Sequence, residues 1–536
     1  MVSPMLRVYR SVAIACIAPF LFGFDTGSIG GVLEQTSFQA EFGHFGETLH
    51  GVIVATILVP SVISGVFAGA VADKLSRTRT ICLGSVIFAA GSAICAGSVK
   101  SIGMLIGGRI IAGFGEGLFL GTAAVYCSEI SPKKRRGMMM TILQLFIATG
   151  VCAGYWTCYG ATNISNSLQW RLPFVLSTAL AITVAVLSLV YLPHSPRWLL
   201  LNGRRADADK VLDLIVGRDV DALNERKEML IVPVAMTGSK RQAFLRMWQK
   251  DVRWRSILGA SIQALQMMSG IDFVLFYATT LFRQAGLTGG SASFLGGGVT
   301  GIFVLVGTIA TIFYVDRLGR RTIFVAGGAC VATSLLVIGS LYAADKVNTT
   351  EGGKWAVIVM IEFFAFSFAA SWGVVTRLYA AEIQPSRTRA AAASFSVAIN
   401  QLINTLVALT GPQFLATSAS GPYFTYGAVT VFTTFAAYWF MPETKGHSLE
   451  AIDDMFNEHS VPLAAPLPFS DASKALVGKY RDARERRMSR RESETIPTTD
   501  GLDDEKAAAD PREAFRREMR AAKLLAPNRE HEVIEE

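Results

Sequence analysis

The sequence predicts an all-α integral membrane protein: twelve transmembrane helices in two pseudo-repeated six-helix halves, with a cytoplasmic helical insert between them. Three observations predict it. The composition is too apolar for a soluble core, the apolar runs have spanning length, and three loop motifs recur in the same order in the second half.

Hydrophobic residues make up 51% of the 536 and charged residues 17%, with a mean hydropathy of +0.40. An average soluble chain carries about 25% charged residues. The deficit is uneven, because residues 457–536 are rich in charge, so the remainder is more apolar still. That excludes one large soluble domain. The net charge of +8 does not indicate nucleic acid, since the basic residues sit in short loops between apolar runs, with no basic face interleaved with aromatics. Seven cysteines (Cys16, Cys82, Cys95, Cys127, Cys152, Cys158, Cys330) fall in or beside apolar segments without metal spacing and read as small buried side chains. The N-terminal Arg7, Arg10 and the apolar run Ser11–Phe24 mimic a signal peptide, but the run continues through Asp25 to Val32 with no small-residue cleavage site. It reads as an uncleaved first span.

A span needs about 20 mostly apolar residues. The runs predict spans at 10–32, 48–71, 80–99, 103–127, 139–160, 171–192, 256–283, 292–315, 322–343, 355–380, 391–416 and 422–441. Glycines crowd the fourth (Gly107, Gly108, Gly113, Gly115, Gly117, Gly121), where small residues let helices approach closely. Lys74, Arg77, Arg79, Lys133–Arg136, Arg317, Arg320, Arg321, Arg387 and Arg389 all fall on one side, while the other carries Glu34, Glu41 and Glu47. Positive loops face the cytoplasm, which places both termini inside and the sequons at Asn163 and Asn348 outside, where glycosylation is possible.

The predicted organisation is a short cytoplasmic N-terminus (1–9), a first six-helix half (10–193), a charged linker with short amphipathic helices such as Ala206–Ile215 (194–253), a second half (254–441), a closing motif (442–456) and a polar tail expected to be disordered (457–536). Asp73-Lys-Leu-Ser-Arg returns as Asp316-Arg-Leu-Gly-Arg-Arg, Glu129-Ile-Ser-Pro as Glu382-Ile-Gln-Pro, and Pro193-His-Ser-Pro-Arg-Trp is answered by Pro442-Glu-Thr-Lys-Gly, at offsets of 243, 253 and 249 residues. Two like-oriented halves favour a transporter with its site at the seam.

These motifs together resemble the sugar-porter family of the major facilitator superfamily, over residues 10 to 455. Ser269–Leu287 with Ala292–Leu295, and Tyr379–Ala392, look most like fungal monosaccharide (hexose and pentose) transporters. The resemblance implies a major facilitator fold in the plasma membrane, a sugar and a proton as partners, alternating access by a monomer, and no cofactor. It also implies a cytoplasmic latch of Asp73, Arg77, Glu129, Arg136, Asp316, Arg320, Arg321, Glu382 and Arg389; the bland alternative is orientation charges in solvated loops. The first copy departs from the family, with Ser76 for Gly and Thr78 for Arg.

A carboxylate within a span costs roughly 2.5–3.5 kcal/mol on insertion scales and is usually functional or paired. Asp25 stands where the family's proton symporters carry an Asp, and Arg109 at the partner position. Next to Arg109 the acid is ionised; separated and desolvated it takes a proton. A static ion pair is the alternative. Gln144 and Gln266 match the family's sugar-binding glutamines and Asn400 another hydrogen-bonding position, with Phe24, Phe276 and Tyr277 as apolar and gating contacts. A helix–helix hydrogen bond is the alternative for each amide. Several positions depart from the family: Met267 for Gln, Asp272 for Asn, Val304 for Asn, Arg377 for a stacking Trp and Gln401 for Trp. Arg377 has three readings: an ion pair with Asp272, recognition of a substrate carboxylate such as a uronate, or snorkelling to the interface. Glu116 and Glu362 receive no role.

The function expected is proton:sugar symport, with a passive facilitator, a porter of acidic sugars and a non-transporting sugar sensor as alternatives. No nucleophile–base pair, phosphate loop or metal cluster supports an enzyme.

Overall fold

The computed structural model describes residues 4–131, 136–215, 246–249, 252–287, 292–385 and 388–445. The loop at 132–135, most of the linker, and everything from 446 onward, including the tail and most of the closing motif, lie outside the described residues.

Twelve spans follow in order. Spans one to six are Pro4–Glu34, Glu47–Ala55 with Leu58–Leu75, Arg77–Ala96, Ile102–Ile130, Arg136–Ala161 and Leu168–Val190. Spans seven to twelve are Arg253–Met267 with Ile271–Gln284, Ala292–Leu318, Arg320–Ala343, Glu351–Ala369 with Trp372–Glu382, Arg389–Thr417 and Gly421–Phe440. The first ten are apolar enough to cross a membrane by hydropathy alone. Span eleven is diluted by Asn400, Gln401, Asn404 and Thr405, all buried in protein, and span twelve by its Thr and Tyr residues. Lipid-exposed positions such as Val66, Phe67, Phe313, Phe432 and Phe435 carry large apolar side chains at the surface.

The packing repeats as the loop motifs do. Span one packs on five, two on four, and three on four and six; seven packs on eleven, eight on ten, and nine on ten and twelve. The halves meet where five packs on eight, two on eleven and one on seven. Glycine permits these approaches where lipid offers no hydrophobic drive between helices. A Cβ on Gly117 would sit 2.1 Å from the Ser61 carbonyl oxygen, and one on Gly113 2.2 Å from that of Ile57, whereas Gly107 meets nothing within 4 Å.

Two spans read as continuous in the sequence are broken, seven at 268–270, where Gly270 takes a φ of 82°, and ten at Ala370–Ser371, while span two keeps helical torsions through an interruption of its hydrogen-bond ladder at Thr56–Ile57. Broken backbone survives at membrane depth only where protein satisfies its polar groups. Thr311 Oγ1 donates to the Ala369 carbonyl (3.3 Å), Tyr314 OH to that of Ala370, and Gln266 Nε2 to that of Trp372 (3.2 Å). Within the linker, Pro196–Leu201 starts on a Ser195 cap, and Arg205–Ile215 buries Ala208, Leu212 and Ile215.

Replacing Gly117 with Leu is expected to destabilise the detergent-solubilised protein by about 1–3 kcal/mol through overpacking against backbone. Gly107→Leu is expected to leave it unchanged. Thermal unfolding followed by size-exclusion chromatography checks the contrast.

Candidate functional site

Span one is pinned to span five by glycine contacts on either side of Asp25: Cβ atoms on Gly23 and Gly27 would fall 2.1 and 2.2 Å from the carbonyl oxygens of Ile147 and Val151. This close seating aims Asp25 at span four. Arg109 Nη1 donates to Asp25 Oδ1 and Nη2 to Oδ2, both at 3.2 Å, in a two-pronged pair. Arg109 is 1% exposed. Its Nη2 also donates to the Val54 carbonyl (3.3 Å), at the end of the first helix of span two, where the last carbonyls lack helical partners. Glu116 lies two turns along span four, fully buried, with Oε1 unbonded among the described residues.

One turn of span one away, a cavity opens between the halves. Its polar lining is Thr26, Gln144, Gln266, Asp272, Thr308, Arg377 and Gln401; its apolar lining includes Phe22, Ile147, Val151, Leu275, Val304 and Phe368. Arg377 Nη1 donates to Gln144 Oε1 at 2.8 Å, joining span ten to span five across the seam. Asp272 lines the same cavity, and among the described residues no ion pair at contact distance joins it to Arg377. Gln266 is oriented from behind: Asn400 Nδ2 donates to its Oε1 (3.3 Å) and to Gln263 Oε1 (3.1 Å), while Nε2 reaches the Trp372 carbonyl.

Four of the expected contacts lie elsewhere. Asn400 supports Gln266 without lining the cavity. Phe24 is 200° around the helix from Phe22 and packs on Phe20 instead. Phe276 and Tyr277 follow Leu275 around the far side of span seven, where the Tyr277 hydroxyl donates to the Ala408 carbonyl (2.6 Å). Thr26, Phe22, Phe368 and Thr308 line the cavity but carry no cue in one sequence beyond helical spacing from Asp25 and Val304.

At the end opposite the basic loops, Glu34 closes the seam. Arg283 Nη1 pairs with its Oε2 at 2.6 Å, and Oε1 accepts from Arg283 Nη2 (2.8 Å) and Thr280 Oγ1 (2.7 Å). Tyr155 OH donates to the Leu275 carbonyl (2.5 Å) and Gln413 Nε2 to Thr48 Oγ1 (2.8 Å), adding further links between halves. The sequence signal was faint: one acid and one arginine 249 positions apart on an acid-rich side.

At the basic end the three repeated motifs converge within each half. Glu129 takes Arg77 Nε (2.9 Å) and Nη2 (3.0 Å) together with Ser195 Oγ (2.6 Å), and Arg77 also pairs with Asp73 (2.9 Å). Glu382 takes Arg320 Nη2 (3.1 Å) and Thr444 Oγ1 (2.7 Å). The Glu443 carboxylate caps span nine, accepting from the backbone N–H groups of Arg320 and Arg321 (2.8 and 3.0 Å), and Arg321 Nη2 donates to the Tyr438 carbonyl (2.5 Å). The side chains of Arg136, Asp316 and Arg389 lie outside the described residues. Ser76 holds a φ of 95° where the second repeat has Gly319 at 93°; its hydroxyl and that of Thr78 both contact His194 Nδ1 at 3.1 Å. Burial, then Arg79 and Arg204, lower the His194 pKa, which favours a neutral ring able to join these hydroxyls.

Twelve spans in two repeated halves, with a polar cavity at the seam, define a transporter of the major facilitator class. Residues 11–456 match the family model described as "Sugar (and other) transporter", and the chain belongs to that family. Its relatives include a sugar transport protein of Oryza sativa subsp. japonica, 30% identical over 474 residues, which cover 84% of this chain and 92% of that protein. A high-affinity hexose transporter of Saccharomyces cerevisiae is 30% identical (85% and 83% covered), and a quinate permease of Neurospora africana is also 30% identical (85% and 90% covered). Among solved structures, the proton:xylose symporter XylE bound to 6-bromo-6-deoxy-D-glucose shares the fold, with a TM-score of 0.71 at 24% identity, covering 84% of this chain and 99% of that one.

Gln144→Ala and Gln266→Ala are each expected to weaken substrate binding by about 1–3 kcal/mol, because each strips a hydrogen bond from a desolvated ligand. Equilibrium binding to purified, correctly folded protein checks this; unchanged affinity would remove both from the site.

Proposed function

We propose that this chain carries a sugar-class solute into the cell in symport with a proton, working as a monomer in the plasma membrane with its basic end in the cytoplasm. The observation that carries the reading is the buried Asp25–Arg109 pair, whose acid is adjacent in sequence to the cavity-lining Thr26. A ligand that displaces Thr26 and Phe22 displaces Asp25 with them. Drawn away from Arg109 into apolar surroundings, the carboxylate takes up a proton, and returning to the guanidinium releases it. The hydrogen-bonded closure at Glu34, Thr280 and Arg283, opposite the basic end, together with the paired Asp25, supports a state closed to the outside after proton release. The exposed Asn163 and Asn348 lie at that outer end, as glycan acceptors would. The Arg77–Glu129 and Arg320–Glu382 clusters would dock on one another when the cytoplasmic end shuts.

Asp25→Asn is expected to abolish accumulation against a gradient while sparing exchange of solute across the membrane. Counterflow and net uptake in cells lacking their own sugar carriers separate the two. A variant that still concentrates solute would show that Asp25 is not the coupling group.

A further inference from the structure

Arg377 stands in the inner helix of span ten, two turns beyond the break at Ala370–Ser371, with its guanidinium in the cavity wall. A guanidinium stays charged and offers five N–H donors in a planar fork. Here one hydrogen bond uses that fork, from Nη1 to the neutral Gln144 Oε1. No described carboxylate lies within ion-pair distance of it, and Asp272, which lines the same cavity, acts on it only at longer range. Setting a cation in a pocket shielded from bulk water is costly unless an anion or several oriented acceptors meet it.

The facing wall is of the opposite character. Asp272 sits in the first turn of the half-helix Ile271–Gln284, lines the cavity, and accepts no hydrogen bond from a described residue. A carboxylate is an acceptor with up to four lone-pair sites, suited to hydroxyl donors. The Gln266 amide adds a donor and an acceptor on the same wall. Between the walls, Phe22, Ile147, Val151, Leu275 and Phe368 offer apolar surface to C–H groups. The cavity thus carries a cation and a hydroxyl-accepting carboxylate that make no ion-pair contact among the described residues. A neutral sugar satisfies only the second. A carboxylate on the ligand meets the fork with two parallel N–H···O bonds at one end, and repulsion from Asp272 fixes which way round it lies.

We propose that the solute is a polyhydroxylated carboxylic acid of monosaccharide size, a hexuronate or a ring-hydroxylated acid, bound with its carboxylate on Arg377 and its hydroxyls on Asp272 and Gln266. This rests on reading the cavity as the transport site.

The test is uptake by the full-length protein in cells lacking endogenous carriers, with galacturonate, glucuronate and quinate set against galactose, glucose and the methyl esters of the two uronates. At least one acid is expected to be taken up saturably, and its own neutral ester or parent sugar to compete at least about tenfold more weakly, since the ester keeps the shape and loses the charge-assisted bonds. Arg377→Gln, which keeps a donor for Gln144 without the charge, is expected to weaken uptake of the acid about tenfold at equal surface amount, with Arg377→Lys between it and the parent. Uptake of a neutral hexose with no uptake of any acid overturns the proposal and leaves the transport function standing. Equal competition by acid and ester overturns it too. Uptake of nothing in the panel, with the protein at the cell surface, contradicts both.

Discussion

The rest of the structure is arranged around a charge that protein must keep company. Arg109 is buried between spans one, two and four, and Asp25 is its counter-ion. To bring that carboxylate within reach, span one is seated against span five by Gly23 and Gly27, so tightly that no larger residue fits. The hydrogen-bond ladder of span two is interrupted just after Val54, whose carbonyl accepts a further hydrogen bond from the guanidinium. Breaking a buried pair by removing one partner costs far more than the intact pair contributes. On the proposed mechanism, a proton delivered to Asp25 is such a loss, and movement of span one away from Arg109 offsets it.

The internal repeat shows how the halves divide this labour. Gly23-Phe24-Asp25 in span one is matched by Gly270-Ile271-Asp272 in span seven, and Glu362 follows Arg109 by the same 253 positions that separate Glu382 from Glu129. The second half therefore has acids at both positions where the first has an acid and a base. Asp272 lines the cavity with no cation at ion-pair distance among the described residues, and Glu362 is held by Thr300 Oγ1 at 3.0 Å. The first half holds a buried charge pair, and the second has its matching acid in the cavity wall. At the basic end the symmetry is retained: Ser195 on Glu129 on Arg77 is repeated as Thr444 on Glu382 on Arg320.

Much of this was legible in the sequence, because apolar length, loop charge and motif order are read along one dimension. The twelve spans and the family came from such signals, and the partnership of Asp25 with Arg109 from the family resemblance they carried. The interruption of span two at Thr56–Ile57 and the breaks in spans seven and ten did not, since the flanking runs are apolar enough to read as continuous. Which face of a helix meets the cavity was equally hidden. Phe24 and Phe22 are two residues apart in an all-apolar run, and only packing against span five decides which of them faces inward. Asn400 was expected at the ligand and lies behind Gln266, a distinction of one side-chain length that helical spacing cannot make. The Glu34–Arg283 closure depends on two halves meeting, and pairing across that separation leaves no local pattern.

The account's central claim is that the Asp25–Arg109 pair passes a proton with each solute. The most direct measurement is the external pH of a weakly buffered suspension of proteoliposomes carrying the purified protein, recorded as a transported solute is added without any imposed gradient. The account predicts alkalinisation outside, in proportion to solute entry and abolished by a protonophore. Solute entry with no movement of protons would contradict it.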